Sequence, residues 1–349
     1  MAVQKIHIDD FIVLAQKALV IDVRSPGEFE HAHIPNAHSL PLFNNEERAI
    51  VGTTYKQKSR EAAIKIALPF FGEKMKSIVE NVEVLLTNFE KEKKAEKPTI
   101  IVHCWRGGMR SGAVAWLLDL YGFKVVQLVG GYKAYRKWVL AQFEKKYSLK
   151  VLGGYTGSGK TEILQALKTK NIPVIDLEGL AHHKGSSFGA LGQAPQPSQE
   201  MFENKLGQTL SLIEQAAQSV WIEDESQRIG TVMIPISFFT QLRNSVCYFI
   251  EIPFNERLKF ITSSYGVFDK ESLISATQRI QKRLGGLETK NVLNYLNEGA
   301  IENAFSILLK YYDKWYEKNT KNNVSIPKAM VIRISASKVD PTANASLLE

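Results

Sequence analysis

A cysteine and an arginine separated by five residues could together hold an anion against a nucleophilic sulfur atom. Cys104 follows an apolar run at residues 99–102. The glycines after it allow backbone N–H groups to turn inward and form a nest for an anion. A helix starting after this loop would direct its N-terminus at the sulfur and favour a nucleophilic thiolate, and Arg110 offers a bidentate fork to oxygen atoms. The expected anion loop comprises Cys104, Trp105, Arg106, Gly107, Gly108, Met109 and Arg110.

A second loop has the sequence of a phosphate-binding P-loop. Residues 154–161 fit the pattern G-x-x-x-x-G-K-[ST], follow a strand-like run and precede a helical pattern, which is the context that this motif requires. Backbone N–H groups would wrap a β-phosphate, Lys160 would neutralise it, and the Thr161 hydroxyl would reach a magnesium ion. The sequence therefore predicts diphosphate binding by Gly154, Tyr155, Thr156, Gly157, Ser158, Gly159, Lys160 and Thr161.

Acidic side chains follow two strand-like runs in the same half of the chain. Asp176 and Glu178 end one run, and Asp224 and Glu225 end another, where a Walker B carboxylate would lie. They could hold magnesium or contact a substrate, because ligands of parallel α/β sheets bind beyond the carboxyl ends of the strands. From spacing alone, a solvated acidic strand end explains Asp224 and Glu225 about equally well.

Short apolar strands alternate with helical patterns along the chain, which predicts an α/β fold with a parallel sheet in each of two domains. In the first domain, strands are predicted at residues 18–22, 100–103 and 124–128. An insert at residues 44–97 is helical around residues 74–89, one helix runs from Cys104 to about Leu120 before Gly122, and another spans residues 133–146.

The alternation restarts after residue 147, where we place the boundary between domains 1–147 and 148–349. Strands are predicted at residues 149–152, 173–177, 219–223, 247–251 and 329–334. A long helical stretch covers about residues 271–318. The second domain is therefore expected to be a P-loop α/β domain with helical additions.

The composition is ordinary for a soluble protein. The 349 residues are 44% hydrophobic and 23% charged, with a net charge of +8. This balance favours polyanionic partners such as nucleic acid or phosphorylated small molecules, although many cytosolic proteins are mildly basic without binding either. No apolar stretch approaches the roughly 20 residues of a membrane span, and no signal pattern is present, so we expect a cytoplasmic location without membrane association. Of the two cysteines, Cys247 is expected to be a buried core thiol.

The first domain resembles the rhodanese family. Residues 128–132 are similar to the closing signature of that family, and residues 21–37 to its N-terminal signature, with Asp22, Arg24, Glu28, His33 and Ala37 in place. Sulfur-transferring rhodaneses usually have one residue fewer between cysteine and arginine. The longer loop matches rhodanese-like phosphatases and tyrosine phosphatases, and its wider bowl suits a tetrahedral phosphate-like anion. His31, His33 and His38 could form a metal cluster, but His33 falls at a structural position of the signature, so no zinc-type site is predicted.

The chain as a whole resembles the tRNA 2-selenouridine synthases, in which a rhodanese-like domain is fused to a P-loop domain. Besides both motifs, the resemblance rests on phrases at residues 47–56, 176–181, 184–189, 223–226 and 228–230. His183 and Lys184 stand where a His-Arg pair is expected, which weakens the expectation of a bidentate contact there.

This resemblance implies a reaction and its substrates. The family replaces the sulfur of wobble 2-thiouridine in tRNA with selenium from selenophosphate, through an S-geranyl-2-thiouridine intermediate made from geranyl diphosphate. Cys104 would carry selenium as S-selanylcysteine, and the Arg110 loop would hold the departing phosphate. The P-loop would bind geranyl diphosphate, with magnesium helping the diphosphate to leave and no tightly bound cofactor. A nucleotide at the P-loop is the competing expectation.

The net positive charge of the protein would favour binding of a tRNA substrate. Trp105 could stack a flipped wobble base or pack against the core of its domain. Candidate contacts to the tRNA backbone are Lys56, Lys58, Arg60, Lys133, Arg136 and Lys137, although each alone is more commonly an ordinary surface residue.

Two other functions stay open from the sequence. A rhodanese-type sulfurtransferase or a phosphatase would use the Cys104 loop, with the P-loop domain merely regulatory. A P-loop kinase would use the rhodanese-like domain as an inactive binding module, but such a module would be expected to lack Cys104.

Overall fold

Runs of apolar residues form the central strands of two parallel sheets, so the predicted α/β class is confirmed. The computed structural model describes residues 3–93, 98–216, 219–321 and 330–349. The chain divides into two compact units, Met1–Ala141 and Gln142–Glu349. This division falls a few residues before the boundary that we place near residue 147.

In the first unit, the three central strands of the sheet are fully buried and the two edge strands are largely exposed. The elements in chain order are β1 (Gln4–Ile6), α1 (Ile8–Leu14), β2 (Leu19–Asp22), α2 (Pro26–His31), β3 (His38–Ser39), α3 (Asn45–Gln57), α4 (Arg60–Lys93), β4 (Ile100–His103), α5 (Met109–Tyr121), β5 (Val125–Leu128) and α6 (Gly131–Gln142). Within the described part of this unit, the strands run parallel in the order β1-β5-β4-β2-β3. Helices α4 and α5 pack on β2 and β4 through Ile78, Val82, Val114 and Leu118.

The insert between β3 and β4 is more helical than predicted. It contains α3 and α4, and the predicted region around residues 74–89 is only part of α4. Helix α5 ends as predicted before Gly122, which takes the left-handed φ of 108°. Helix α6 begins at Gly131 and ends at Gln142, so it starts and ends earlier in the chain than the predicted span 133–146.

In the second unit, the P-loop strand β6 lies at the centre of the sheet. The elements are β6 (Leu149–Gly154), α7 (Lys160–Thr169), β7 (Val174–Ile175), α8 (Leu177–Ala181), α9 (Gln199–Ala216), β8 (Val220–Glu223), β9 (Arg228–Ile229), β10 (Val232–Met233), α10 (Ile236–Arg243), β11 (Val246–Glu251), α11 (Phe254–Tyr265), α12 (Lys270–Arg279), α13 (Gln281–Leu284), α14 (Gly286–Asn297), α15 (Ile301–Lys321), β12 (Val331–Ser335) and α16 (Pro341–Ser346). Parallel strands follow the order β12-β11-β6-β8-β7 in the described residues, and β9 and β10 form a separate antiparallel ribbon.

Two elements of this unit differ from prediction for local reasons. The predicted strand 173–177 stops at Ile175, because Asp176 accepts a hydrogen bond from the Gly179 N–H and opens α8. The predicted helical stretch 271–318 consists of α12 to α15, interrupted at Gly285 and Gly299, whose φ values are 96° and 75°. The final strand begins at Val331, and residue 329 of its predicted span lies outside the described residues.

Across the described ranges, no helix combines the length and the apolar character needed to cross a membrane.

Candidate functional site

Cys104 lies at the carboxyl end of the central strand β4, at the start of the loop that leads into α5. The residue is only 4% exposed, and its Sγ atom lies 3.2 Å from the hydroxyl oxygen of Ser111. Both Arg110 and Ser111 belong to the first turn of α5. The positive end of the helix dipole is therefore beside the sulfur, where it attracts negative charge.

The Ser111 hydroxyl is the centre of a hydrogen-bond network beneath this loop. The side-chain amide of Gln127 on β5 donates to Ser111 Oγ at 2.8 Å and to the carbonyls of Gly107 and Gly108 at 2.9 and 3.1 Å. Ser111 Oγ thus accepts from Gln127, and its own proton can go to the Gly108 carbonyl at 3.2 Å or to Cys104 Sγ. Ser111 can donate to a thiolate, a role that the sequence analysis missed although Ser111 directly follows Arg110.

The Arg110 guanidinium is paired with Glu28 on α2. Its Nη1 and Nη2 atoms donate to Glu28 Oε2 and Oε1 at 2.7 and 3.4 Å. Glu28 is fixed in turn, since Oε2 accepts from the backbone N–H and hydroxyl of Ser25 at 3.1 and 3.2 Å. Burial opposes ionisation of Glu28, but the hydrogen bond and charge of Arg110 outweigh it and lower the pKa to about 2. A carboxylate that is ionised at neutral pH therefore positions the predicted arginine fork, and no local sequence pattern indicates this pairing.

The turn that follows β5 packs directly on the backbone of the anion loop. Gly131 has a φ of 54°, and a Cβ atom there would lie 2.2 Å from the Cys104 carbonyl oxygen. Gly107 has a φ of 62°, and a Cβ atom there would lie 2.2 Å from the Leu128 carbonyl oxygen. The Tyr132 N–H also donates to the Cys104 carbonyl at 2.8 Å. Only glycine fits at these two positions, so the segment after β5 sets the shape of the loop.

The rest of the anion loop reaches the surface. Trp105, Arg106, Gly108 and Met109 are exposed. The Trp105 ring lies 5.6 Å from the Tyr132 ring, centre to centre, so the indole both packs against its own unit and is accessible from outside. Of the candidate tRNA contacts, Arg136 is half-buried and the others are exposed: Lys56, Lys58, Arg60, Lys133 and Lys137. Their binding roles stay predictions.

The other residues of the rhodanese-like signature make structural contacts. Arg24 Nη2 lies 2.6 Å from Asp22 Oδ2 in a buried ion pair, and it also donates to the Ala32 carbonyl at 2.8 Å. His33 Nδ1 is hydrogen-bonded to the Phe29 carbonyl at 2.9 Å, and the two rings stack with centroids 3.9 Å apart. These contacts hold α2 and the segment after it, so His33 has the structural position that we expected.

The P-loop adopts the cradle shape that its glycines predict. Gly157 and Gly159 have left-handed φ values of 82° and 72°. Lys160 begins α7, and its Nζ atom donates to the Gly154 carbonyl at 3.3 Å. The buried Ser158 hydroxyl has no hydrogen-bond partner in the described structure. The loop thus joins β6 to the N-terminus of α7 in the geometry that suits a diphosphate.

Three carboxyl groups, of which Glu223 is fully buried, gather beside the end of the P-loop. The Thr161 hydroxyl donates to Glu178 Oε2 at 2.9 Å, and the Glu178 N–H donates to Glu223 Oε1 at 2.7 Å. Burial raises the pKa of Glu178, and burial together with the charge of Glu178 raises the pKa values of Glu223 and Glu225 well above their usual range. Such crowding favours either a shared proton or a cation. Glu223, at the very end of β8, was absent from our candidates.

The two aspartates that we predicted nearby are held by other groups. Asp176 accepts from the Gly179 N–H at 2.7 Å and from the Gln165 amide at 3.1 Å. Asp224 Oδ1 pairs with Arg243 at 2.8 Å, and its Oδ2 accepts from the Tyr316 hydroxyl at 2.7 Å. Of the four predicted carboxylates, Glu178 and Glu225 are therefore the ones next to the P-loop.

The P-loop end can accommodate magnesium only with help from a ligand. Among the described residues, no group of three or more His, Cys, Asp and Glu side chains is arranged to hold a metal ion. Magnesium commonly takes one or two protein oxygens and completes its shell with water and substrate phosphates. The Thr161 hydroxyl and the Glu178 carboxyl fit that requirement.

A cavity of about 1070 Å³ opens over the P-loop, and much of its wall is aromatic. The rings of Tyr155, Phe249 and Tyr316 contact one another, with centroid separations of 5.2, 5.5 and 5.5 Å. Further aromatic lining comes from Phe239, Phe260, Tyr265, Tyr311, Tyr312 and Trp315. The cavity therefore combines the P-loop with a large apolar surface. The dense aromatic run at residues 311–316 is a signal that the sequence reasoning did not use.

The Lys184 loop and Cys247 also line this cavity. Lys184 Nζ lies 5.8 Å from the centre of the Tyr265 ring, so the lysine brings a charge to the aromatic wall without a bidentate fork. Cys247 is buried as predicted, and burial raises the pKa of its thiol to about 12. Cys247 is therefore an unreactive thiol at neutral pH.

Comparison with known proteins gives concordant results for both units. Residues 147–340 match the family described as the tRNA 2-selenouridine synthase AAA domain, and residues 10–137 match the rhodanese-like domain. A tRNA 2-selenouridine synthase of Hydrogenovibrio crunogenus is 35% identical, over 88% of this chain and 91% of that protein. The synthase of Nitrosomonas europaea is 38% identical over 82% and 74% of the two chains, and that of a Sulfurovum species is 33% identical over 88% and 90%.

Proposed function

The chain belongs to the tRNA 2-selenouridine synthase family, and on that premise we propose that it replaces the sulfur of wobble 2-thiouridine in tRNA with selenium from selenophosphate, through an S-geranyl intermediate. Two anion sites of different character support this proposal. One places a cysteine sulfur beside an arginine and a helix N-terminus, and the other joins a diphosphate loop to an aromatic cavity.

The cavity over the P-loop is the observation that carries the proposal. Geranyl diphosphate has a charged end and a branched hydrocarbon chain, and the cavity offers Lys160 with the P-loop glycines at one end and aromatic rings beyond. Packing of the geranyl hydrocarbon chain against those rings would remove its apolar surface from contact with water. It would also hold the reactive carbon of the substrate near the bound diphosphate. We therefore assign geranyl diphosphate to this cavity.

In the geranyl step, the sulfur of 2-thiouridine attacks the first carbon of the chain and the carbon–oxygen bond to diphosphate breaks. Lys160 and the backbone N–H groups of the P-loop stabilise the diphosphate as it leaves. Thr161 and Glu178 would hold a magnesium ion, which would neutralise further charge on that leaving group. Alkylation turns the sulfur into a neutral thioether, so that a selenium nucleophile can displace geranylthiol from the base.

Cys104 is assigned to the selenium step. The Ser111 hydroxyl donates to the thiolate, Arg110 and the loop backbone bind the phosphorus oxyanion, and the sulfur attacks selenium to form S-selanylcysteine. In that attack the selenium–phosphorus electron pair stays on phosphorus, so the product is phosphite. Release of phosphate would mean that selenium leaves as selenide and is not carried on Cys104. Phosphorus NMR of the products distinguishes the two routes.

Nucleoside mass spectrometry of 2-thiouridine tRNA tests the assignment of both sites. The full-length protein is incubated with geranyl diphosphate, magnesium and selenophosphate, in parallel with Cys104→Ser and Lys160→Ala. We expect selenouridine from the wild type, geranylated thiouridine from Cys104→Ser and unchanged thiouridine from Lys160→Ala. Lys168→Ala, an exposed change on the same helix α7, should behave as the wild type.

Unchanged thiouridine with the wild-type protein would overturn the proposal. Nucleotide hydrolysis without tRNA would then favour the P-loop kinase, and release of phosphate from phosphate esters would favour the phosphatase.

A further inference from the structure

A second arginine approaches the carboxylate that holds Arg110. Arg48 lies on α3, and its Nε atom is 3.6 Å from Glu28 Oε2, the oxygen that also accepts from Arg110 Nη1 at 2.7 Å. The Arg48 side chain is 48% exposed, against 16% for Glu28. Arg48 thus reaches from the inserted helix to the ion pair of Arg110 and Glu28 while about half of its side chain stays exposed.

The position of Arg48 is set by the way α3 is anchored. Asn44 caps the helix and forms a capping box with Glu47. The side-chain oxygen of Asn45 accepts from the Gly27 N–H on α2 at 2.9 Å, which ties the first turns of the two helices together. Arg48 lies three residues after Asn45, about one turn further along α3, so the fold itself brings this side chain to Glu28.

The charges of Arg110 and Glu28 cancel when they are considered alone. Arg110 keeps Glu28 ionised at neutral pH, and the pair therefore has no net charge. An arginine compensated in this way can still donate hydrogen bonds to an anion, but its net electrostatic attraction for that anion is small. Arg48 adds one positive charge next to the pair, so the cluster of Arg48, Glu28 and Arg110 attracts anions again.

We propose that Arg48 is a phosphate-binding residue of the Cys104 site, where it supplies the net positive charge that Glu28 cancels on Arg110. This inference rests on the proposed function of the Cys104 loop and adds a residue to that site. Its ligand is a phosphate oxyanion, which can belong to selenophosphate or to the tRNA backbone beside the wobble nucleotide. The guanidinium N–H groups of Arg48 bind the oxygen atoms, since about half of the side chain is accessible to a ligand.

Inorganic phosphate provides a direct probe, because bound phosphate should shield Cys104 from alkylation by iodoacetamide, an uncharged reagent. Peptide mass spectrometry separates this label from any on Cys247. Arg48→Ala should raise the phosphate concentration for half-protection about two- to fivefold, the size expected for a half-exposed ionic contact. Arg48→Lys should recover most of the loss. Lys65→Ala, which removes one positive charge from the exposed face of α4, should leave protection unchanged.

The affinity of the same variants for 2-thiouridine tRNA identifies the source of the phosphate. Weaker phosphate protection in Arg48→Ala supports the proposal with the selenium donor as ligand. Unchanged protection with weaker tRNA binding than Lys65→Ala supports it with a backbone phosphate as ligand. The proposal is overturned if Arg48→Ala matches Lys65→Ala in both measurements. Absence of phosphate protection in the wild type would instead refute anion binding by the Cys104 loop itself.

Discussion

The Ser111 hydroxyl oxygen lies 3.2 Å from the Cys104 sulfur and 2.8 Å from the Gln127 amide nitrogen that donates to it. Because Gln127 occupies the acceptor side of the hydroxyl, the Ser111 proton is directed either at the Gly108 carbonyl or at the sulfur. When the thiol ionises, the sulfur becomes the stronger acceptor. The network therefore prepares a hydrogen bond that is strongest in the reactive state of the cysteine.

Replacing Ser111 by alanine should slow alkylation of Cys104 by iodoacetamide about 10- to 150-fold at neutral pH, since a hydrogen bond to a charged group contributes about 1.5–3 kcal/mol. Ser111→Thr keeps the hydroxyl and should react nearly as fast as the wild type. Rate constants for alkylation between pH 6 and 9 measure the effect. Equal rates for Ser111→Ala and the wild type across this range would show that the hydroxyl does not donate to the sulfur.

Glu28 should make folding stability depend on acid pH. Its folded-state pKa of about 2 lies below the ordinary value of 4.5, so its ionised form stabilises the fold above about pH 4.5, and this contribution is lost as the pH falls towards 2. Glu28→Gln should lower the free energy of unfolding by up to about 2–3 kcal/mol at pH 7, and by less at pH 3.5. Urea unfolding at both values measures this difference.

The matched control for that experiment is Glu80→Gln, which removes an exposed carboxylate 3.5 Å from Lys76 on α4. Its effect should be below about 1 kcal/mol at either pH. If Glu28→Gln lowered the free energy of unfolding by the same amount at pH 7 and at pH 3.5, ionisation of Glu28 would not be the source of the stabilisation.

Trp315 should contribute to binding of the hydrocarbon chain and not of the diphosphate. It lines the cavity while being 46% exposed, so Trp315→Ala should fold normally. We expect the KM for geranyl diphosphate to rise about tenfold, because the substitution removes a large apolar contact surface. Inhibition by inorganic diphosphate should be unchanged. The control Trp116→Ala removes a similarly exposed indole of the first unit, where no change in either constant is expected.

Magnesium and diphosphate should stabilise the second unit together. Ligand present at 100 times its Kd adds about 2.7 kcal/mol to the free energy of unfolding, so inorganic diphosphate with magnesium should raise the Tm by several degrees. Lys160→Ala should abolish the shift, and EDTA should reduce it in the wild type. Differential scanning fluorimetry measures these changes. A full shift in Lys160→Ala would place the diphosphate away from the P-loop.

The sequence predicts the elements that carry each loop, because their signals are local. The apolar run before Cys104 and the glycines of the P-loop specify a strand end and a turn from neighbouring residues alone. Pairing between distant segments is not visible in the same way. Glu28 lies 82 residues from Arg110, and Arg48 comes from the insert. The spacing of residues in the sequence does not predict that Glu28 or Arg48 lies next to Arg110.

The acidic residues around the P-loop show the same division. The sequence places four carboxylates at strand ends. It does not show that Asp224 is bound by Arg243 of α10 and Tyr316 of α15, and so is not available to Thr161. The aromatic wall is also a tertiary feature, since its rings come from the P-loop, α10, β11, α11 and α15 and meet only in the folded unit. Composition alone could not assign them to a cavity.

The close fit of Gly131 against the Cys104 carbonyl has a consequence for biosynthesis. The anion loop can close only after the chain has extended past β5 and the turn has docked, because its backbone is held by residues that are synthesised later. On the ribosome, a nascent chain that ends before residue 131 therefore contains Cys104 without the contacts that shape its loop. Cys104 therefore acquires its folded surroundings only once residues 131 and 132 have been added to the chain.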